Sequence, residues 1–275
     1  MDIFKDKVAT VTGGGSGIGK ALCERLARLG AKVVLSDINP KSAEKVGAAI
    51  RNAGGKAVVH TLDVTDYNAF KKHIHDTVEV HGKLDYIFNN AGIAIGAEFR
   101  DMELEHWQQV INVNLNGVFH GSLLAYKQMV KQGYGHIINL SSVEGMVPFP
   151  TTGSYVASKY AVLGLSQTLW VEGHSLGVKV SAVCPGFIKT PIYDVSPMVN
   201  IDREKILSQY KTFQKLGITP EKCALVILKG VAKNKPIIPV TGLAHVIWRL
   251  ARVAPVAYMK YVRKDFDKWR NAIRM

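Results

Sequence analysis

The chain has 275 residues, of which 47% are hydrophobic and 21% charged. That is enough for one large domain with a real core, and it excludes a disordered or fibrous chain. Three widely spaced cysteines (Cys23, Cys184, Cys223) build neither a disulfide framework nor a metal site, so a reducing, cytoplasmic compartment is expected. The formal charge of +13 permits anionic partners without choosing among them.

Apolar runs alternate between two periods along the chain. Residues 7–12, "KVATVT", are strand-like. Residues 17–31 place Ile18, Leu22, Leu26 and Leu29 at helical spacing, with Gly30 as a stop. Strand-like runs follow at 32–37, 56–63, 84–92, 136–142, 179–186 and 235–240, and helical ones at 41–52, 66–81, 103–132, 154–176 and 219–233. Strands of near-continuous Val, Ile and Leu between helices predict an α/β fold with a parallel sheet covered on both faces. Residues 1–240 form the expected domain and 241–275 a C-terminal helical extension. The start has no charged stretch leading into an apolar one, so no signal peptide is expected. No run is long and apolar enough for a transmembrane helix.

"TGGGSGIG" (12–19) lies between the first strand and the first helix. Glycines there allow a tight turn and close approach of a pyrophosphate, and the helix N-terminus offers unpaired N–H groups. Gly13, Ser16, Gly17, Ile18 and Gly19 are therefore dinucleotide-binding candidates. Asp37 ends the second strand, 18 residues after Gly19, where an acid accepts from a ribose 2′-hydroxyl and repels a 2′-phosphate. No Lys or Arg stands inside the loop, so NAD is expected over NADP. Asp63, ending the third strand with Val64 after it, is a candidate for the adenine edge or a cap of the next helix.

"GSYVASKYAVLG" (153–164) sets Tyr155 and Lys159 one helical turn apart, on one face. A cation held beside a phenol lowers its pKa, which suits a general acid or base. His73, His75 and His81 fall on the helix at 66–81 and are expected to be solvated, and no metal site is expected. Cys184 is expected as a small core residue.

Together these motifs resemble the classical short-chain dehydrogenase/reductase family. The likeness rests on "TGGGSGIG", Asp37, "LDV" at 62–64, "NNAG" at 89–92, "NVN" at 112–114, "INLSS" at 138–142, "YVASK" at 155–159 and "PGFIKT" at 185–190, all in the family's order. The resemblance implies a three-layer, Rossmann-type doubly wound parallel sheet and hydride transfer between an alcohol and a nicotinamide. It implies Tyr155 as acid/base and Lys159 as the group that tunes it and holds the nicotinamide ribose. Ser142 would bond the substrate oxygen, and Asn114 would anchor a relay water. Asn90, Ala91 and Gly92 would run along the adenosine half, and Pro185, Gly186, Ile188 and Thr190 along the nicotinamide. A homodimer or homotetramer is implied as well. A non-catalytic dinucleotide-binding regulator of the same fold is the alternative, and the complete Asn114, Ser142, Tyr155 and Lys159 set argues against it.

Residues 187–218, mixed in Ile, Tyr, Val, Met and Phe, are expected to form a flap over a partly apolar substrate pocket. From Gly242 to Met275 there are eight Lys or Arg and two Asp. Pro255 should split this segment into two helices. Leu243, Val246, Ile247, Leu250 and Val253 recur before it; Tyr258, Val262, Phe266 and Trp269 form a stripe after it. Such a basic amphipathic segment either packs on protein or lies on an anionic membrane surface. No nucleic-acid-binding motif is recognised.

Overall fold

The computed structural model describes residues 2–209 and 215–275. Its strands are β1 (Val8–Thr12), β2 (Lys32–Asp37), β3 (Lys56–Thr61), β4 (Tyr86–Asn89), β5 (Gly96–Ala97), β6 (Gly135–Leu140), β7 (Val178–Cys184), β8 (Met198–Val199) and β9 (Ile237–Pro239). The principal helices are α1 (Gly17–Arg28), α2 (Pro40–Asn52), α3 (Tyr67–His81), α4 (Leu104–Ile111), α5 (Gly117–Gln132) and α6 (Gly153–Gly173), followed by Pro220–Ala232, Gly242–Val253 and Pro255–Trp269. Local chemistry sets their ends. Asn39 accepts from the N–H groups of Lys41 and Ser42 at the start of α2, with Pro40 in the first turn. Asp66 caps α3 in the same way, and Gly82 ends it in the left-handed region at φ 73°.

Seven strands form one parallel sheet in the order β3-β2-β1-β4-β6-β7-β9. β1 pairs with β2 on one side and β4 on the other, so the winding reverses between β1 and β4. Every residue of β1 is buried, as a central parallel strand requires. One face is covered by α1, α2 and Pro220–Ala232, through Leu22, Leu26, Val46, Ile50, Ile227 and Leu228. The other is covered by α3 and α5, through Phe70, Ile74, Ala125 and Met129. The chain is therefore the expected three-layer, doubly wound α/β fold.

Several boundaries shift. The strand expected at 84–92 ends at Asn89, and that expected at 56–63 ends at Thr61. The helix expected over 103–132 is α4 and α5 joined by a π-helical turn, Asn112–Asn116. The helix expected over 154–176 is α6 followed by one tighter turn. The segment expected as a flap holds regular elements: Ile192–Val195 and Arg203–Gln209 are helical, and β8 pairs with β5. Residues 210–214 of the expected flap lie outside the described residues.

Pro255 does open a second C-terminal helix. Ile247, Trp248, Ala251 and Tyr258 pack against Met146, Val147 and Cys184. Phe266 and Trp269 pack with Ile201, Ile206 and Ile273. The tail then pairs with the segment after β8: the Asp202 N–H donates to the Ile273 carbonyl at 2.7 Å. Beside it, buried Glu98 accepts two hydrogen bonds from Arg270, at 3.0 and 2.7 Å, while Arg274 bridges to Asp101 at 2.8 Å.

Candidate active site

The glycine loop is closed by contacts that admit no larger residue. A Cβ on Gly19 would lie 2.0 Å from the Gly13 carbonyl oxygen. Gly13 sits at φ 63°, where its Cβ would meet the Ala91 backbone at 2.9 Å. Asn90 ties the loop to the end of β4, its side-chain amide donating to the carbonyls of Thr12 and Gly13 at 2.9 and 3.0 Å. The N–H groups of Asn90 and Ala91 both donate to the Thr12 hydroxyl. Thr12, absent from the expected site, is thus the hinge of the arrangement. Ser16 makes no side-chain cap, so the first N–H groups of α1 keep no side-chain partner. Thr190 lies across the loop, its methyl 3.3 Å from where a Gly17 Cβ would stand.

Asp37 reaches the same loop. Its Oδ2 accepts from the Gly15 N–H and its Oδ1 from the Asn39 N–H, both at 2.9 Å. Each carboxylate oxygen keeps a lone pair for a further donor. Asp63 is exposed and accepts from the Thr65 N–H and hydroxyl. It is therefore not the cap of the next helix, a role taken by Asp66. Val64 is buried against Gly117 and its carbonyl pairs with His120.

The four residues assigned to chemistry meet at the carboxyl ends of β4 and β6. Ser142 follows β6, and its hydroxyl is close enough to Tyr155 to favour the ionised phenol. Lys159, 4% exposed, donates to the Leu140 carbonyl at 2.8 Å, with its ammonium 5.3 Å from the centroid of the Tyr155 ring. Asn114 lies in the π-helical turn, fully buried. Its Oδ1 accepts from the Ile93 N–H at 2.8 Å, and its Nδ2 donates to the Ile93 carbonyl at 2.9 Å and to Ser158 at 3.3 Å. A Cβ on Gly92 would sit 3.2 Å from Asn114 Oδ1 and 3.5 Å from Lys159 Nζ, so glycine keeps open the gap between them. From β7, Pro185 accepts from the Val143 N–H at 2.8 Å, Gly186 packs against Thr241, and Ile188 is buried beside Ile218.

The electrostatics differ from the expectation in one respect. Burial pushes the Tyr155 phenol well up, and Glu144 adds to this, while the Ser142 hydrogen bond pulls it down. Lys159 is itself lowered to about 8, by burial. Its hydrogen bond goes to Leu140 rather than to the phenol, so in this arrangement the phenol stays protonated at neutral pH, the state that donates to a carbonyl oxygen. Glu144, two residues after Ser142, was not singled out in the sequence; an acid inside the apolar "SSVEGMVPF" was the available signal. Burial raises it to about 7.

One further side chain corrects the sequence reading. His73 is not solvated. It is 4% exposed, 2.6 Å from the Thr10 hydroxyl and 2.9 Å from His60, because its position on α3 faces the sheet. His75 stays outside, 3.7 Å from both Asp76 and Glu79. Of the two asparagines in "NNAG", Asn90 faces the loop, while Asn89 is buried and donates to Asn139 at 2.8 Å. Cys184 is buried, as expected.

The crevice outside the strand ends, at the reversal between β1 and β4, is where doubly wound sheets bind ligands. The residues present fit a dinucleotide: a glycine cradle that side chains would fill, an uncapped helix N-terminus, and a carboxylate at the end of β2. Comparison with known proteins agrees. The family model described as short chain dehydrogenase matches residues 7–197. The "Probable oxidoreductase EphD" of Mycobacterium tuberculosis is 35% identical over 267 residues; the match covers 94% of this chain, which spans 45% of that protein's length. The "3beta-hydroxysteroid dehydrogenase" of Mediterraneibacter gnavus is 37% identical over 247 residues, covering 83% of this chain and 89% of its own. A crystal structure of a short-chain dehydrogenase/reductase from Burkholderia phymatum in complex with NAD superposes with a TM-score of 0.83 at 30% identity, covering 90% of this chain and 94% of that one. On its fold, its motifs and these relatives, the chain belongs to the short-chain dehydrogenase family.

Proposed function

We propose that the protein is an NAD(H)-dependent oxidoreductase that interconverts a secondary alcohol with an apolar carbon skeleton and its carbonyl compound. The observation that carries this reading is the convergence of Ser142, Tyr155, Lys159 and Asn114 beside the glycine cradle. Gly13, Gly17 and Gly19, with the α1 N-terminus, would hold the pyrophosphate, and Asp37 the adenosine ribose. Asp63, Val64, Asn90, Ala91 and Gly92 would border the adenosine half. Lys159 and Tyr155 would meet the nicotinamide ribose, and Pro185, Gly186, Ile188 and Thr190 the nicotinamide. When bound there, the dinucleotide would supply or take up the hydride. Tyr155 moves the proton on the substrate oxygen, and Ser142 shares the charge that develops there. Lys159 and Asn114, flanking the same gap over Gly92, lead that proton toward solvent. Asp37 favours NAD, since it would stand against a 2′-phosphate. The steroid named for the Mediterraneibacter relative, and the apolar cluster that Val143, Met146 and Val147 enter directly after Ser142, support an apolar substrate. The test is a panel of secondary alcohols and ketones, read by nicotinamide absorbance with NAD and NADP in parallel. Turnover of none of them by either cofactor overturns the reading.

Two surfaces extend it to partners. Phe119 on α5 and Tyr160, Trp170 and Val171 on α6 are large and exposed. α6 carries apolar residues all round, which supports a homodimer or homotetramer that buries its outer face. Among the described residues no helix is long and apolar enough to cross a membrane. The stripe of Tyr258, Val262, Phe266 and Trp269 is half-buried toward the protein. A second apolar set is exposed, namely Val246, Leu250 and Val253 with Val256, Met259 and Tyr261. With Arg249, Arg252, Lys260, Arg263 and Lys264 on the same two helices, it supports peripheral binding of a cytoplasmic protein to anionic membrane.

A further inference from the structure

Glu144 stands in the single turn Val143–Gly145 that follows Ser142. Its N–H donates to the Ser142 hydroxyl at 3.1 Å, the same hydroxyl that lowers the Tyr155 phenol. Its carboxyl group is drawn toward the start of α6, where the Thr152 hydroxyl donates to Oε2 at 2.7 Å. Three other ionisable groups feel its charge: Tyr155 and Lys159 from α6, and Tyr258 from the last helix. Its sequence neighbours Val143, Met146 and Val147 belong to one apolar cluster with Trp248.

A carboxylate offers about four acceptor sites. Thr152 fills one, and among the described residues no other hydrogen bond reaches this carboxyl group. Taking a carboxyl group out of water is costly unless partners replace that water. An apolar side chain would join that cluster at no such cost, so the open oxygen is suited to a donor that arrives with a ligand. An ammonium group would meet Lys159 in the same space, and a carboxylate would meet Glu144 itself. A neutral hydroxyl meets neither objection.

Resting on the oxidoreductase reading of Tyr155, we propose that Glu144 is a specificity-determining residue. Its free oxygen accepts a hydrogen bond from a second hydroxyl of the substrate, so the site prefers a diol or hydroxyketone over a plain alcohol of the same skeleton. Sites built to bond a hydroxyl discriminate strongly against analogues that lack it, because the buried acceptor is then left unpaired.

The experiment compares kcat/KM with NAD for trans-cyclohexane-1,2-diol and cyclohexanol, in the full chain and in its Glu144→Gln and Glu144→Leu variants. Calorimetric binding of the same two alcohols is measured in parallel. The full chain should favour the diol. The diol-to-alcohol ratio should fall about tenfold or more in Glu144→Leu, and less in Glu144→Gln, whose amide oxygen still accepts. An unchanged ratio in both variants overturns the proposal, even if both rates and the melting temperature fall together. That pattern would make Glu144 a structural partner of Thr152 and Lys159. Turnover of neither alcohol counts against the oxidoreductase reading; binding without diol preference counts against the role of Glu144.

Discussion

Two buried histidines should make the fold lose stability well above the pH at which carboxylates titrate. His73 and His136 are each 4% exposed, and burial lowers both from 6.5 to about 3. Their networks fix the neutral form. Thr10 donates its hydroxyl to the Val34 carbonyl, so it accepts from His73 Nε2, and His73 Nδ1 in turn accepts from His60. Ser181 likewise donates to the Lys235 carbonyl and accepts from His136. Above pH 6.5 both rings are neutral in the folded and the unfolded chain, so they add no pH dependence. As pH falls below 6.5 the unfolded chain takes up protons that the folded one refuses until about 3. Stability therefore drops with a slope that approaches about 1.4 kcal/mol per pH unit for each ring, and the loss integrates to roughly 3 kcal/mol for the two between pH 6.5 and 5. That is a large share of a typical domain's stability of about 5–15 kcal/mol. Urea melts across this range measure it, and His136→Gln should roughly halve the slope. A slope of zero, or NMR titration of either ring near its ordinary value, would refute the reasoning.

Asp37→Ala should raise kcat/KM with NADP relative to NAD about tenfold or more, read by parallel absorbance assays; an unaltered ratio removes Asp37 from cofactor choice. Gly19→Ala puts a methyl 2.0 Å from the Gly13 carbonyl, so NAD should no longer protect the protein in a thermal-shift assay; normal protection contradicts the assigned cradle. Leu250→Asp with Val253→Asp should abolish sedimentation with anionic vesicles and leave the melting temperature within a few degrees, since both side chains are exposed. Vesicle binding that survives this change rules out that face.

Much of this molecule was legible in the sequence because local and global signals coincide. A central parallel strand must be apolar on both sides, so β1, β2, β6 and β7 announce themselves as runs of Val, Ile and Ala. The glycine loop was legible because Gly13 and Gly19 have no steric alternative. His73 was misplaced because spacing on a helix shows which residues share a face, not how far burial extends around it. The π-helical turn at Asn114 left no signal, since its residues keep helical periodicity on either side. Glu144 was missed because its environment comes from Thr152, Lys159 and Tyr258, which only tertiary folding brings together. The C-terminal stripe was visible, but whether protein or membrane covers it depends on Ile201 and Ile206, some sixty residues away.

The central claim is that Tyr155 moves the proton while the dinucleotide carries the hydride. It is tested most directly by Tyr155→Phe, assayed with NAD on the best alcohol of the panel, with NAD affinity measured separately. The ring remains and the hydroxyl goes, so turnover should fall by about 10²-fold or more while NAD binding changes little. A rate within a few fold of the unmodified protein would contradict the account.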